Sequence, residues 1–311
     1  MRPTRLTMKA FGSYAGKTAV DFDKLTGGLC QWSVNGVELL RTSPVLSIWH
    51  ATIDNDRQLR DEWLHFGFDH MAQRLDTFSH RRTATGGITV RVQTKLYPRP
   101  PSSAFTLNGH WFIATTYTYT IARDGTLDID IDAQFKTLRP DVKLPDMLPR
   151  IGLAFEIPGG LRESMWFGRG PGESYPDSFQ SQLVGLHRSA VADLETSYTR
   201  PQENGNRHDV RRVAFFNRKL AGFVAVANPL MDFSAHFYTD EALDKANHPH
   251  ELVRSPDITV HLDAAVNGLG SNSCGPLPLD AYRLHPGKHH FAFTLKAIPT
   301  GMLSEQALFR A

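Results

Sequence analysis

The chain has 311 residues, 41% hydrophobic and 21% charged, a composition that excludes intrinsic disorder and supports a sizeable apolar core. Its 34 Lys and Arg against 32 Asp and Glu leave a formal charge of +2, which excludes nucleic-acid binding by a broad basic face. No stretch approaches the ~20 apolar residues of a membrane-spanning helix, since even residues 264–279 are broken by Gly, Ser, Asn and Pro.

Residues 1–5 lead into no apolar segment of the kind a secretory signal needs. Two cysteines, Cys30 and Cys274, are too few for a disulfide framework and lack metal-ligand spacing. Both features predict a cytoplasmic protein. Strands are predicted at residues 19–22 and 29–34. A helix is predicted over 56–75, with Leu59, Trp63, Phe66 and Met71 near one face and Asp54 or Asp56 as cap, although Gly67 opposes it. A strand at 89–97 follows, then the clearest hairpin, residues 111–135. There Ile113, Thr115, Tyr117 and Tyr119 alternate with Phe112, Ala114, Thr116 and Thr118. After a turn at 123–126, Leu127, Ile129, Ile131 and Ala133 alternate with Asp128, Asp130 and Asp132. Further strands are predicted at 150–155, 213–216, 222–227, 234–238, 259–262 and 289–295. Many short strands separated by Gly and Pro predict an all-β sandwich, read as a single large domain over 1–311; a boundary at the prolines of 139–149 is the alternative.

Several segments carry chemistry-bearing side chains. Asp54-Asn55-Asp56 reads as a cap or turn rather than a calcium loop, because no closing Glu follows. The glycines of 166–177 lack the Lys-Ser/Thr of a phosphate loop and include two prolines that offer no N–H. His248 with His250, and His289 with His290, have no third ligand at a recognisable spacing, so no metal site is expected. Loop 201–207 is expected to project Glu203 and Asn206 outward around Asn204-Gly205, and 270–276 is a compact loop of small residues. A mutarotase would need a His and Glu pair in one cleft; His187, His208 or His236 with Glu203 are the candidates.

Four of these segments resemble, in order, motifs of the C-terminal domain of family 2 β-galactosidases, a domain also found as their separate small chain. Ile48-Trp49-His50-Ala51-Thr52-Ile53-Asp54-Asn55-Asp56 is similar to F-W-R-A-P-T-D-N-D. Phe167 to Pro171 with Glu173, Tyr175, Pro176 and Asp177 resembles G-x-G-P-x-E-x-Y-x-D. Residues 201–205 resemble P-x-E-N-G, and 268–276 resemble G-x-G-x-x-S-C/W-G/S-P. Phe233, Asp244, His248 and Asp263 also occupy comparable places, and the resemblance covers about 19–295.

The resemblance implies an antiparallel supersandwich similar to aldose mutarotases, which closes one side of a galactoside pocket. It implies substrate-binding roles for Glu203, Asn204, Ser273 and Cys274, with Cys274 standing where some members place a sugar-stacking Trp. It implies a large chain or barrel domain as partner, since retaining hydrolysis needs two carboxyl groups ~5–5.5 Å apart that this family draws from its barrel. The chain alone is then expected to be inactive, with no catalytic residue, metal or cofactor of its own; the family's Mg and Na are bound elsewhere. A homo-oligomer is a further expectation, and an autonomous carbohydrate-binding sandwich is the alternative reading. His50 in place of the motif Arg removes a bidentate donor. Residues 1–24 also resemble the opening of the SMC-like ATPase subunit of a bacterial DNA exonuclease, as a foreign or fused start. Gly12 with Gly16-Lys17-Thr18 is one residue short of an ATP-binding loop, so no ATPase or nuclease activity is expected.

Overall fold

A computed structural model describes residues 4–12, 16–99 and 110–301. Strands β1 (Arg5–Gly12), β2 (Gly16–Asp23), β3 (Leu29–Val34) and β4 (Val37–Glu38) pair in that order. Then follow β5 (Val45–Ser47), α1 (Arg57–His65), β6 (Met71–Arg82), β7 (Ile88–Pro98), β8 (Trp111–Ile121) and β9 (Leu127–Thr137). The chain continues through β10 (Arg150–Pro158), β11 (Glu163–Gly170), β12 (Leu183–Ala190), β13 (Arg207–Phe216), β14 (Gly222–His236), α2 (Asp240–Lys245), β15 (Asp257–Val266) and β16 (Lys288–Ile298). Among the described residues the second sheet has 12 strands: its path is β12-β11-β13-β14-β16-β9-β8-β7-β6, and β15 carries it sideways from β14 to β10 and β5.

The β8–β9 hairpin shows how the sequence sets this pattern. Ile121 pairs with Leu127 across a turn in which Gly125 donates to the Ala122 carbonyl. Ile113, Tyr117, Tyr119, Ile129 and Ile131 are buried, while Asp128 and Asp132 on the other face are exposed. Each buried aliphatic side chain contributes about 1.5–3 kcal/mol, so a slip of one residue, which would turn this set to water, is strongly opposed. The smaller sheet lies on the larger one: Phe22 of β2 meets Tyr119 at 5.0 Å between centroids, and Trp32 of β3 meets Phe223 of β14 at 5.3 Å. These contacts join one hydrophobic cluster, the core of an all-β antiparallel supersandwich.

The helix is shorter than expected. It stops at His65 because Gly67 adopts φ +71° and closes a Schellman motif, with Gly67 N–H donating to Leu64 O and Phe68 N–H to Trp63 O. Residues 71–75 instead open edge strand β6. The two segments expected at 222–227 and 234–238 are mostly one strand, β14, whose first half pairs with β16 and second half with β15. Met147 and Leu148, within the proline-rich stretch 139–149, are buried in the core. Among the described residues, no helix is long and apolar enough to cross a membrane.

Candidate functional site: four loops clasped over a buried ion cluster

Most of the motif residues fall on loops, with Phe167–Gly170 closing β11, and hydrogen bonds hold these loops together. The 48–56 segment runs from β5 into α1. There the Ile53 N–H donates to Asp56 Oδ2 at 2.9 Å, and His50 Nε2 lies 2.9 Å from the same oxygen. One imidazole contact thus stands where a guanidinium could make two. Asp54-Asn55-Asp56 forms a 3-10 turn leading into the helix, as the turn reading expects, and Asp56 holds the N-cap position of α1 without a side-chain cap hydrogen bond. From that turn Asn55 Nδ2 donates to Gly270 O at 2.9 Å, and Asn55 Oδ1 accepts from Ser273 N–H at 3.0 Å. Asp177 takes the same loop from the other side, accepting from Leu269 and Gly270 N–H, each at 2.8 Å. Loop 201–205 is tied in by Glu203 N–H donating to Ala51 O and by Asp54 N–H donating to Gln202 Oε1. Gly205 has φ +72°, and a Cβ there would meet Leu194 O at 2.7 Å, so the loop needs glycine both for conformation and for space.

Beneath the loops lies a buried charge cluster. Arg150, fully buried at the start of β10, has Nη2 2.6 Å from Glu203 Oε1 and Nη1 3.4 Å from Asp263 Oδ2. These are close ion pairs without aligned hydrogen bonds. Burial works against the Arg150 charge, but Glu203 and then Asp263 outweigh it and raise its pKa above the ordinary guanidinium value. With two carboxylates facing one guanidinium, burial pushes Asp263 up to about 6 in spite of Arg150 and His261. His236, whose Nε2 lies 2.9 Å from Asn204 O, is lowered chiefly by burial.

The expectation that Glu203 and Asn206 point outward is corrected. Glu203 turns inward to Arg150, and Asn206 Nδ2 donates to Ser174 O and Asp232 Oδ1. Asn204 is buried too; its side chain accepts from Thr196 N–H and donates to Gln202 O. Ser273 and Cys274 are exposed at the tip of their loop. Of the imidazoles considered with Glu203, His208 sits 2.8 Å from Asp232, His187 lies 3.1 Å from Leu183 O, and only His236 is near Glu203, with both below the surface. The His248 and His250 rings stack at 5.5 Å on an exposed turn. Among the described residues, no three His, Cys, Asp or Glu side chains are grouped to hold a metal ion.

Arg150 and His261 are the residues that sequence reasoning missed. The available signal was a single Arg opening an otherwise apolar strand, Ile151-Gly152-Leu153-Ala154-Phe155, where a charge requires a buried counter-charge from elsewhere in the chain.

Residues 14–295 match the family model described as "Beta galactosidase small chain". Among curated proteins, the chain is similar to β-galactosidase of Kluyveromyces lactis, 31% identical over 280 residues, covering 88% of this chain and 26% of that protein. It is similar to those of Actinobacillus pleuropneumoniae (28% identical; 90% and 26% covered) and an Arthrobacter species (30%; 82% and 26%). The chain therefore spans about a quarter of the length of these curated relatives. Among solved structures it is similar to galactose 1-epimerase from Lactobacillus acidophilus, 8% identical with a TM-score of 0.42, covering 94% of this chain and 98% of that one. A GalM/aldose epimerase homologue from C. elegans is 11% identical with a TM-score of 0.40, covering 95% and 100%. The family match starts at residue 14, within the stretch that resembles an exonuclease ATPase subunit, and β2 of that stretch buries Val20 and Phe22 in the core. From residue 14 onward the reading of a foreign start is therefore replaced by small-chain sequence.

Proposed function

This chain belongs to the β-galactosidase small-chain family, and from that premise we propose that it completes the galactoside pocket of a barrel-bearing large chain. The observation that carries the reading is the clasp of four motif loops into one surface, with Asn55 and Asp177 fixing the 268–276 loop so that Ser273 and Cys274 stand at its tip. Such a surface is rigid without substrate and suits a pocket wall. Glu203 and Asn204 shape that wall from beneath, and Ser273 and Cys274 line it.

The chemistry of the cluster favours a non-catalytic role. Asp56 is engaged by His50 and the Ile53 amide, Asp177 by two amides, Glu203 by Arg150, and Glu173 by Tyr198 and the Gly205 amide. A glycosidase needs one carboxyl group free to give a proton and another free to attack. In this reading both come from the large chain. The chain works in the cytoplasm as one β domain, galactosides are its ligands, and copies associate within the assembled enzyme. No ATPase or nuclease role is proposed for residues 1–24. Size-exclusion chromatography of the chain mixed with a β-galactosidase large chain tests the assembly: co-elution with a raised unfolding midpoint is expected, and separate elution would refute it.

A further inference from the structure

A cleft of about 800 Å³ lies apart from the loop tips, between one face of β5, β10 and β15 and the helices α1 and α2. Its size falls within the ~300–1,000 Å³ of small-molecule sites. The register pairs Ala154 with His261 and Glu156 with Thr259, so alternation sets these four side chains on the face that floors the cleft. Trp49 supplies an aromatic wall.

The electrostatics select the ligand class. Acidic groups of the walls already have partners: Asp240 lies 3.2 Å from His261, Asp244 3.7 Å from Arg60, Asp69 3.4 Å from His70, and Glu241 pairs with Lys245. Among the described residues of the lining Glu156 alone has no such partner, so the field that remains is negative and disfavours an anionic ligand. Two buried polar atoms are left without a partner, His261 Nδ1 and Thr259 Oγ1, with the half-buried Glu156 carboxylate beside the latter as a further acceptor. Buried polar atoms on a cleft floor next to an indole suit a compact molecule that carries both hydroxyl groups and an apolar C–H face.

We propose that this cleft is a second small-molecule site, which takes a neutral polyhydroxylated ligand of monosaccharide size without the large chain. It does not depend on the small-chain reading above, because none of its residues is at the loop tips.

The test is calorimetric titration of the full chain with D-galactose and D-glucose, with glucosamine and glucose 6-phosphate as charged controls. Saturable binding of a neutral sugar is expected. Ala154→Leu, which narrows the floor, should weaken it at least about tenfold. Glu156→Gln, at a half-buried position that leaves the fold intact, should weaken it several-fold, and Ser273→Ala should leave it unchanged. Unfolding midpoints without sugar check that each variant is folded. Saturation by no neutral sugar, or tighter binding of a charged control, would overturn the site. Loss in Ser273→Ala with Ala154→Leu unaffected would move binding to the loops, overturning the cleft inference while leaving the small-chain reading in place.

Discussion

Asn55 and Ser273 lie 218 positions apart, yet the Asn55 amide oxygen accepts the Ser273 N–H at 3.0 Å while its nitrogen donates to Gly270. One side chain after β5 therefore sets the loop that precedes β16. Asn55→Ala removes both bonds and leaves backbone groups without partners, at a cost of about 1–3 kcal/mol. Faster hydrogen exchange at the Ser273 amide and weaker complementation of a large chain are expected. Asn55→Asp should lose the donor to Gly270 and keep the acceptor for Ser273, giving an intermediate result.

Among the described residues, Arg150 is the one guanidinium paired with both Glu203 and Asp263. Arg150→Met would leave two buried carboxylates uncompensated, and a loss of about 3–5 kcal/mol is expected from chemical denaturation. Adding Glu203→Gln should recover part of that loss, because one uncompensated charge is then removed. A single variant as stable as the parent would show that the cluster is hydrated rather than buried.

Asp263 gives the pH dependence a defined sign. Its folded pKa of about 6 is above the ordinary 3.8, so the folded protein holds the proton more tightly. The stability from this proton is fully present below about 3.8 and is lost as pH rises through about 6. Asp263→Asn cannot titrate there. The difference between parent and variant, followed by denaturant titration across that window, should carry this slope; parallel curves would contradict it.

Cys274 is exposed at its loop tip, so Cys274→Trp should change the unfolding midpoint little, within about 0.5 kcal/mol. In the assembled enzyme an aromatic ring there should lower KM for a β-galactoside. A large drop in midpoint would instead mean that the position is covered by its own chain.

Much of the fold was legible because interior strands obey a two-residue period. The β8–β9 hairpin alternates on both strands, and β3 matches its predicted bounds at Leu29 and Val34. The strands at the ends of the long sheet were not legible. β6 and β12 are exposed or half-buried along both faces, with no buried side, so no alternation marks them, and apolar residues around Gly67 at helical spacing masked the start of β6. In the candidate site, the four loops were legible from motif order. The inward turn of Glu203 was not, because its cause is an arginine more than fifty positions earlier whose partners meet only after β10 and β15 pair.

The measurement that bears most directly on the account is hydrolysis of a chromogenic β-galactoside by the purified chain, by a β-galactosidase large chain, and by their mixture. The account predicts silence from this chain alone and activity that rises on mixing until the two are equimolar. Hydrolysis by the chain alone, or a mixture no more active than the large chain, would contradict it.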